Sequence, residues 1–169
     1  MDERDAISAE IPSLRRYARA LLSDPVAAED LVQDCLERAL SRLHLFRPDT
    51  SMRTWLFTIM HNIHANAARR RSKRPDTAPL DGATENRAGV RHGQEDAVAL
   101  RDLSRALREL PSEQRAVVLL VGLEDMSYRQ VAEVLDVPIG TVMSRLSRGR
   151  ERLRRSMEGD DTPVLRRIK

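Results

Sequence analysis

The chain has 169 residues, 41% hydrophobic but only 3% aromatic, so its core must be assembled from Leu, Val, Ile and Ala, a composition that favours helices packed on helices. A net charge of +3 is modest, and what matters is that arginines crowd into Arg69–Arg74 and Arg145–Arg155. Cys35 is the only cysteine, which excludes an internal disulfide or a cysteine-built zinc site; no apolar run nears the ~20 residues of a membrane span, and the opening MDERDAISAE is acidic where a signal peptide is basic, so a cytoplasmic protein without membrane insertion is expected.

In chain order, Ile11–Leu22 gives a short amphipathic helix with Leu14, Ala18, Leu21 and Leu22 inward. Asp24-Pro25 then caps and starts a helix over Ala27–Leu43, because an aspartate accepts from the first free N–H groups and proline suits the first turn. Its inward side is Leu31, Cys35, Ala39 and Leu43, flanked by Val32, Leu36 and Leu40, and its outward side is the acidic strip Asp30, Gln33, Asp34, Glu37. Such a strip fits a solvated face, a dock for a basic partner, or carboxylate chemistry; no histidine or glycine-rich loop joins it to favour the last. Leu45–Arg53 reads as a loop with Pro48-Asp49 turn chemistry, followed by a helix over Thr54–Arg71. Trp55, Leu56, Ile59, Met60 and Ile63 face inward there, leaving Thr58, His61, Asn62, Asn66 and Arg69 as a surface suited to bases and phosphate. His61 and His64 lack a third ligand and make a weak metal signal.

Ser72–Gly93 carries three glycines, two prolines and no apolar period, the mark of a flexible linker. A tether of that length spans roughly 25 Å on average and ~75 Å at full stretch, enough to hold two modules one or two DNA turns apart. Beyond it, Gln94–Leu110 reads as a helix with Val98, Leu103, Ala106, Leu107 and Leu110 buried, Pro111-Ser112 restarts the chain, and QRAVVLLVGL forms the apolar centre. Ser127 with Gln130 three residues on makes a capping box, so a helix starts there and ends at Asp136-Val137-Pro138. On the next helix Ile139, Val142, Leu146 and Leu153 form a packing seam, with Thr141, Ser144, Arg148, Arg152 and Arg155 opposite and Arg145 and Ser147 on the flanks. Two short helices, a tight turn and a polar, arginine-bearing second helix suit the major groove, where arginine donates bidentately to guanine or phosphate.

Four stretches, AEDLVQDCLERAL, RPDTSMRTWLFTIMHNIHANAARRR, LPSEQRAVVLL and MSYRQVAEVLDVPIGTVMSRLSRGRERLR, in this order, resemble the bacterial RNA polymerase sigma factors of the extracytoplasmic-function (ECF) class, within the sigma-70 superfamily. The resemblance implies that Asp30, Gln33, Asp34 and Glu37 grip the clamp helices of the β′ subunit of core RNA polymerase, a partner that includes the β subunit. It implies that Phe46, Asp49, Trp55, His61, Asn62, Asn66, Arg69 and Arg70 serve the promoter's -10 element, with Asn62 at a flipped base. It further implies that Thr141, Ser144, Arg145, Ser147, Arg148 and Arg152 serve the -35 element, and that an anti-sigma factor restrains the chain, holding it at the membrane if that factor is membrane-bound. Met143 stands where many members have arginine.

The expectation is therefore an all-α chain of two small helical domains. Residues 1–71 form a region 2 domain, 72–93 a linker, 94–158 a region 4 domain with the helix-turn-helix, and 159–169 a loose tail. With no P-loop, metal triad or nucleophile–base signature, no enzyme, cofactor or small-molecule substrate is expected. The alternatives are a helix-turn-helix repressor or activator whose first half dimerises it, and a sigma mimic that sequesters a regulator without binding DNA.

Overall fold

A computed structural model of the chain describes residues 2–73 and 94–158, with the side chains of 94–96 set aside. The expected linker, apart from Ser72 and Lys73, and the expected tail lie outside the described residues. Those described form seven α-helices, one short 3-10 helix and no strand.

The first half contains α1 (Glu3–Leu22), α2 (Pro25–Ser41), a 3-10 turn (Leu43–Leu45) and α3 (Met52–Ser72). α1 starts at Glu3, earlier than the Ile11 read from the sequence, and carries Pro12 inside it. An interior proline costs about 3 kcal/mol, and burial of Ile7, only 4% exposed, helps hold the extra turns in place. Asp24 caps α2 as expected, its Oδ1 accepting from the Val26 N–H at 3.0 Å, with Pro25 at the first helical position. α2 ends at Ser41, so Leu43 falls in the 3-10 turn, half-buried. Ser51 caps α3, accepting from the Thr54 N–H, so that helix starts at Met52.

Leu14, Ala18, Leu21, Leu31, Val32, Cys35, Ala39, Leu56, Ile59 and Met60 are buried as their spacing requires. Burial pushes the Cys35 thiol up to about 12, and it donates to the Leu56 carbonyl. The largest buried side chains here are nonetheless Tyr17 and Phe57, edge to face with centroids 5.3 Å apart.

The second half contains α4 (Gln94–Glu109), α5 (Ser112–Gly122), α6 (Tyr128–Leu135) and α7 (Ile139–Glu158). α5 is its centre, burying Ala116, Val117, Leu119 and Leu120. The capping box forms: Gln130 N–H donates to Ser127 Oγ at 3.3 Å and Ser127 N–H to Gln130 Oε1 at 2.9 Å. Asp136, at φ 52° in the left-handed region, ends α6 and turns the chain into α7. Two expectations fail. Val98 is 52% exposed, because burial on this side begins only at Ala106 near the end of α4 and continues at Leu110 just beyond it. Ile139 is 50% exposed, because as the first residue of α7 it lies beyond the seam of Val142, Leu146 and Gly149.

The halves touch. α6 lies against α3 and α5 against α1, and buried residues from Ile7 to Met60 and from Ala116 to Leu146 belong to one apolar cluster.

Candidate functional site

On α2, Leu31, Val32, Cys35 and Ala39 point inward, which by helical period leaves Asp30, Gln33, Asp34 and Glu37 outward, and all four are exposed. Gln33 donates to Glu37 at 3.1 Å, one turn on. Neighbouring Glu29 is neutralised by Arg15 and Arg19 at 3.1 and 2.9 Å, whereas among the described residues no arginine pairs with Asp30, Asp34 or Glu37. Exposed apolar side chains stand at both ends of this face, Val26 at 71% and Leu40 at 50%. Leu40, expected beside the core, is instead exposed, because it falls one turn beyond Glu37 on the outer side of α2.

On α3, Asn62, Asn66, Arg69 and Arg70 form an exposed stripe running to the basic end of the helix. Phe46 and Trp55 meet, centroids 5.3 Å apart, which fixes the preceding loop onto α3, while Asp49 stays exposed on that loop. His61 is half-buried and lies off the stripe. Burial, reinforced by His64, Arg145 and Arg69, holds its imidazole below the ordinary histidine value. Burial also lowers His64, helped by Arg71 and Arg115.

Both histidines are therefore neutral in the fold and protonate more readily in the unfolded chain, which binds the extra protons as pH falls through the ordinary histidine range near ~6.5. Stability is expected to be flat above that range and to drop below it. Thermal melts from pH 7.5 to 5.5 check this, with a shallower slope expected for a His61→Gln, His64→Gln double variant; equal slopes would contradict it.

On α7, Ser144, Ser147, Arg148 and Arg152 are exposed, Thr141 is half-buried, and Arg145 is drawn down onto Glu113 at 3.1 Å. Arg154 and Arg155 are tied to Glu151, and Arg154 also to Glu158. Among the described residues Arg148, Arg150 and Arg152 carry no ion pair, so their guanidiniums are available. Arg150 escaped the sequence reading; it lines a shallow groove with Tyr128, Met143 and Ser147.

The largest omission is a charge cluster between the halves. Glu124, in the loop between α5 and α6, has a fully buried carboxylate. Arg16 of α1 grips it with both arms of its fork, at 2.9 and 2.8 Å, and Arg53 of α3 donates to it at 2.6 Å. Arg53 also reaches the Glu124 carbonyl at 2.9 Å, Glu10 at 2.7 Å and Ser13 at 3.1 Å, and lies over the Phe57 ring. A cation in the first turn of a helix opposes the helix dipole, and these carboxylates offset that cost. Arg115 of α5 forms a second tie, donating to the Leu107 and Leu110 carbonyls at the end of α4 and to the Leu21 carbonyl at the end of α1 at 3.1 Å.

The described residues thus combine an exposed acidic strip on α2 and an amide-and-arginine stripe on α3 with an arginine-bearing helix-turn-helix. Residues 7–61 match the family described as the Sigma2 domain of PhyR, and residues 100–153 the family described as Sigma-70, region 4. EcfG of Rhodopseudomonas palustris, an ECF RNA polymerase sigma factor, is 35% identical over 150 residues, covering 89% of this chain and 82% of that protein. SigW of Bacillus subtilis, another, is 32% identical over 149 residues, covering 81% and 79%. The chain belongs to the ECF RNA polymerase sigma factors. The sigma factor RpoE, solved in complex with the anti-sigma factor NepR from Bartonella quintana, is 28% identical and superposes with a TM-score of 0.73 over 93% of this chain and 97% of that one.

Proposed function

We propose that this chain docks on core RNA polymerase through the α2 strip and directs it to promoters by applying α3 to the -10 element and α7 to the -35 element. The units would be residues 1–71 and 94–158, joined by 72–93 and followed by a tail at 159–169. Asp30, Gln33, Asp34 and Glu37 meet the β′ clamp helices, with Val26 and Leu40 adding apolar contact at the ends. Phe46, Asp49 and Trp55 shape the edge of the -10 surface, and Asn62, Asn66, Arg69 and Arg70 supply its donors to bases and phosphates. His61, half-buried, stands at the edge of that surface. Phosphodiester formation belongs to the polymerase, so the chain carries no chemical step of its own and works in the cytoplasm, where an anti-sigma factor restrains it.

The observation that carries this reading is the division of α7. Val142, Leu146 and Gly149 are buried on the domain, while Ser144, Ser147, Arg148, Arg150 and Arg152 stand exposed. Arg148 is assigned to a base edge and Arg152 to phosphate. Met143, 53% exposed, cannot donate a hydrogen bond, and its apolar end suits a thymine methyl.

Selection of binding sequences from a random -35 duplex pool tests both assignments. Arg148→Ala should cost about 1 to 3 kcal/mol at one sequence position, and Met143→Arg should shift one position from thymine toward guanine. A uniform loss across all sequences would move Arg148 to phosphate contact, and an unchanged preference would remove Met143 from the reading.

A further inference from the structure

The two halves are packed together in this structure, α6 against α3 and α5 against α1, and α7 in turn packs on α5 and α6, so both reading helices belong to one closed body. Elements at -10 and -35 lie more than two helical turns apart, roughly 80 Å along B-DNA. The closed arrangement therefore cannot read both at once, although it leaves the α2 strip and the outer face of α7 exposed.

Closure is held by apolar packing, which is not directional, and by the Glu124 cluster, which is. Its carboxylate has no exposure, and its partners come from residues 108 and 71 positions away on the other half. A carboxylate buried this way is tolerated only while its cations stay in place; separating the halves returns all three charges to water together, so the contact is all-or-none. Arg16, half exposed, is the accessible arm through which such opening begins.

We propose that Glu124, gripped by Arg16 and Arg53, is an intramolecular latch that keeps the two promoter-reading surfaces together, so that the chain must open before it can span a promoter. This rests on the promoter-spanning reading above. An open state present as only a fraction of molecules lowers apparent affinity for two-element DNA by that fraction and leaves single-element binding untouched.

The test uses the full chain labelled for energy transfer at Ser41→Cys and Met157→Cys, both exposed positions, with Cys35 buried and unreactive. The probes are a duplex bearing only a -35 element and a longer promoter fragment bearing both elements, the -10 element pre-melted. Glu124→Gln should lower energy transfer and tighten binding of the two-element DNA by about tenfold, with the -35 duplex unchanged. Arg16→Met, which removes one arm from an exposed position, should act in the same direction and decides the matter should Glu124→Gln fold poorly. Unchanged transfer in both variants would overturn the latch. Equal tightening on both DNAs would also overturn it, since loss of one negative charge anywhere produces that. If transfer falls but no DNA binds, the promoter reading fails, and with it the consequence proposed for opening.

Discussion

Replacing Asp30 and Asp34 together with alanine should weaken binding to core RNA polymerase by about thirtyfold or more, the loss expected for two charged anchors at the centre of an interface. Neither side chain supports the fold: both are exposed, no described arginine pairs with them, and α2 is held from its other side by Leu31, Val32, Cys35 and Ala39. Alanine is also the better helix former, so the melting temperature should hold or rise slightly. Titration of labelled polymerase with wild-type and variant chain measures the effect, and the difference should shrink with salt if the partner surface is basic. Affinity unchanged at low salt would return the strip to a solvated face.

Gly149→Leu should cause a large loss of stability. A Cβ at this position would lie 2.7 Å from Val118 Cγ2 and 3.5 Å from Gln114 Cβ, so α7 approaches α5 as closely as it does only because no side chain intervenes. Val118 is β-branched and cannot swing aside cheaply. Gly149→Ala sets a helix-propensity gain of about 1 kcal/mol against an overpacking cost of about 1 to 3 kcal/mol, leaving a small net loss. Leucine adds three carbons to the same contact and must push the helices apart, so a loss of about 3 kcal/mol or more is expected, with -35 duplex binding falling in parallel. Thermal or denaturant unfolding of both variants checks the order, and a Gly149→Leu chain as stable as the parent would show that α5 and α7 do not meet here.

Local chemistry made much of this fold readable. Asp24-Pro25, the Ser127–Gln130 box and the Asp136–Pro138 turn each satisfy orphan backbone groups within a few residues, so their consequences lie where their letters lie. The seam of α7 and the acidic strip of α2 follow from the 3.6-residue period alone. The first turns of α1, from Glu3, were not legible, because the apolar spacing that marks the helix begins at Leu14 and the burial of Ile7 is not visible in sequence. Ile139 and Val98 fit the apolar period but sit at helix ends that the second half does not cover. The Glu124 cluster was invisible for a different reason: a single Glu, two arginines and 108 residues between the outermost of them produce no periodic signal, and only the contact between halves brings them together. His61 is half-buried and stands off the stripe of Asn62, Asn66 and Arg69, because one residue along a helix is a turn of about 100°.

A sigma factor decides where RNA polymerase starts. Mapping the 5′ ends of transcripts made by purified core polymerase on genomic DNA, with and without the purified chain, tests it most directly. A set of new start sites sharing paired upstream elements is expected, present only with the chain and lost with Asp30→Ala, Asp34→Ala. An identical 5′-end profile with and without the chain would contradict it.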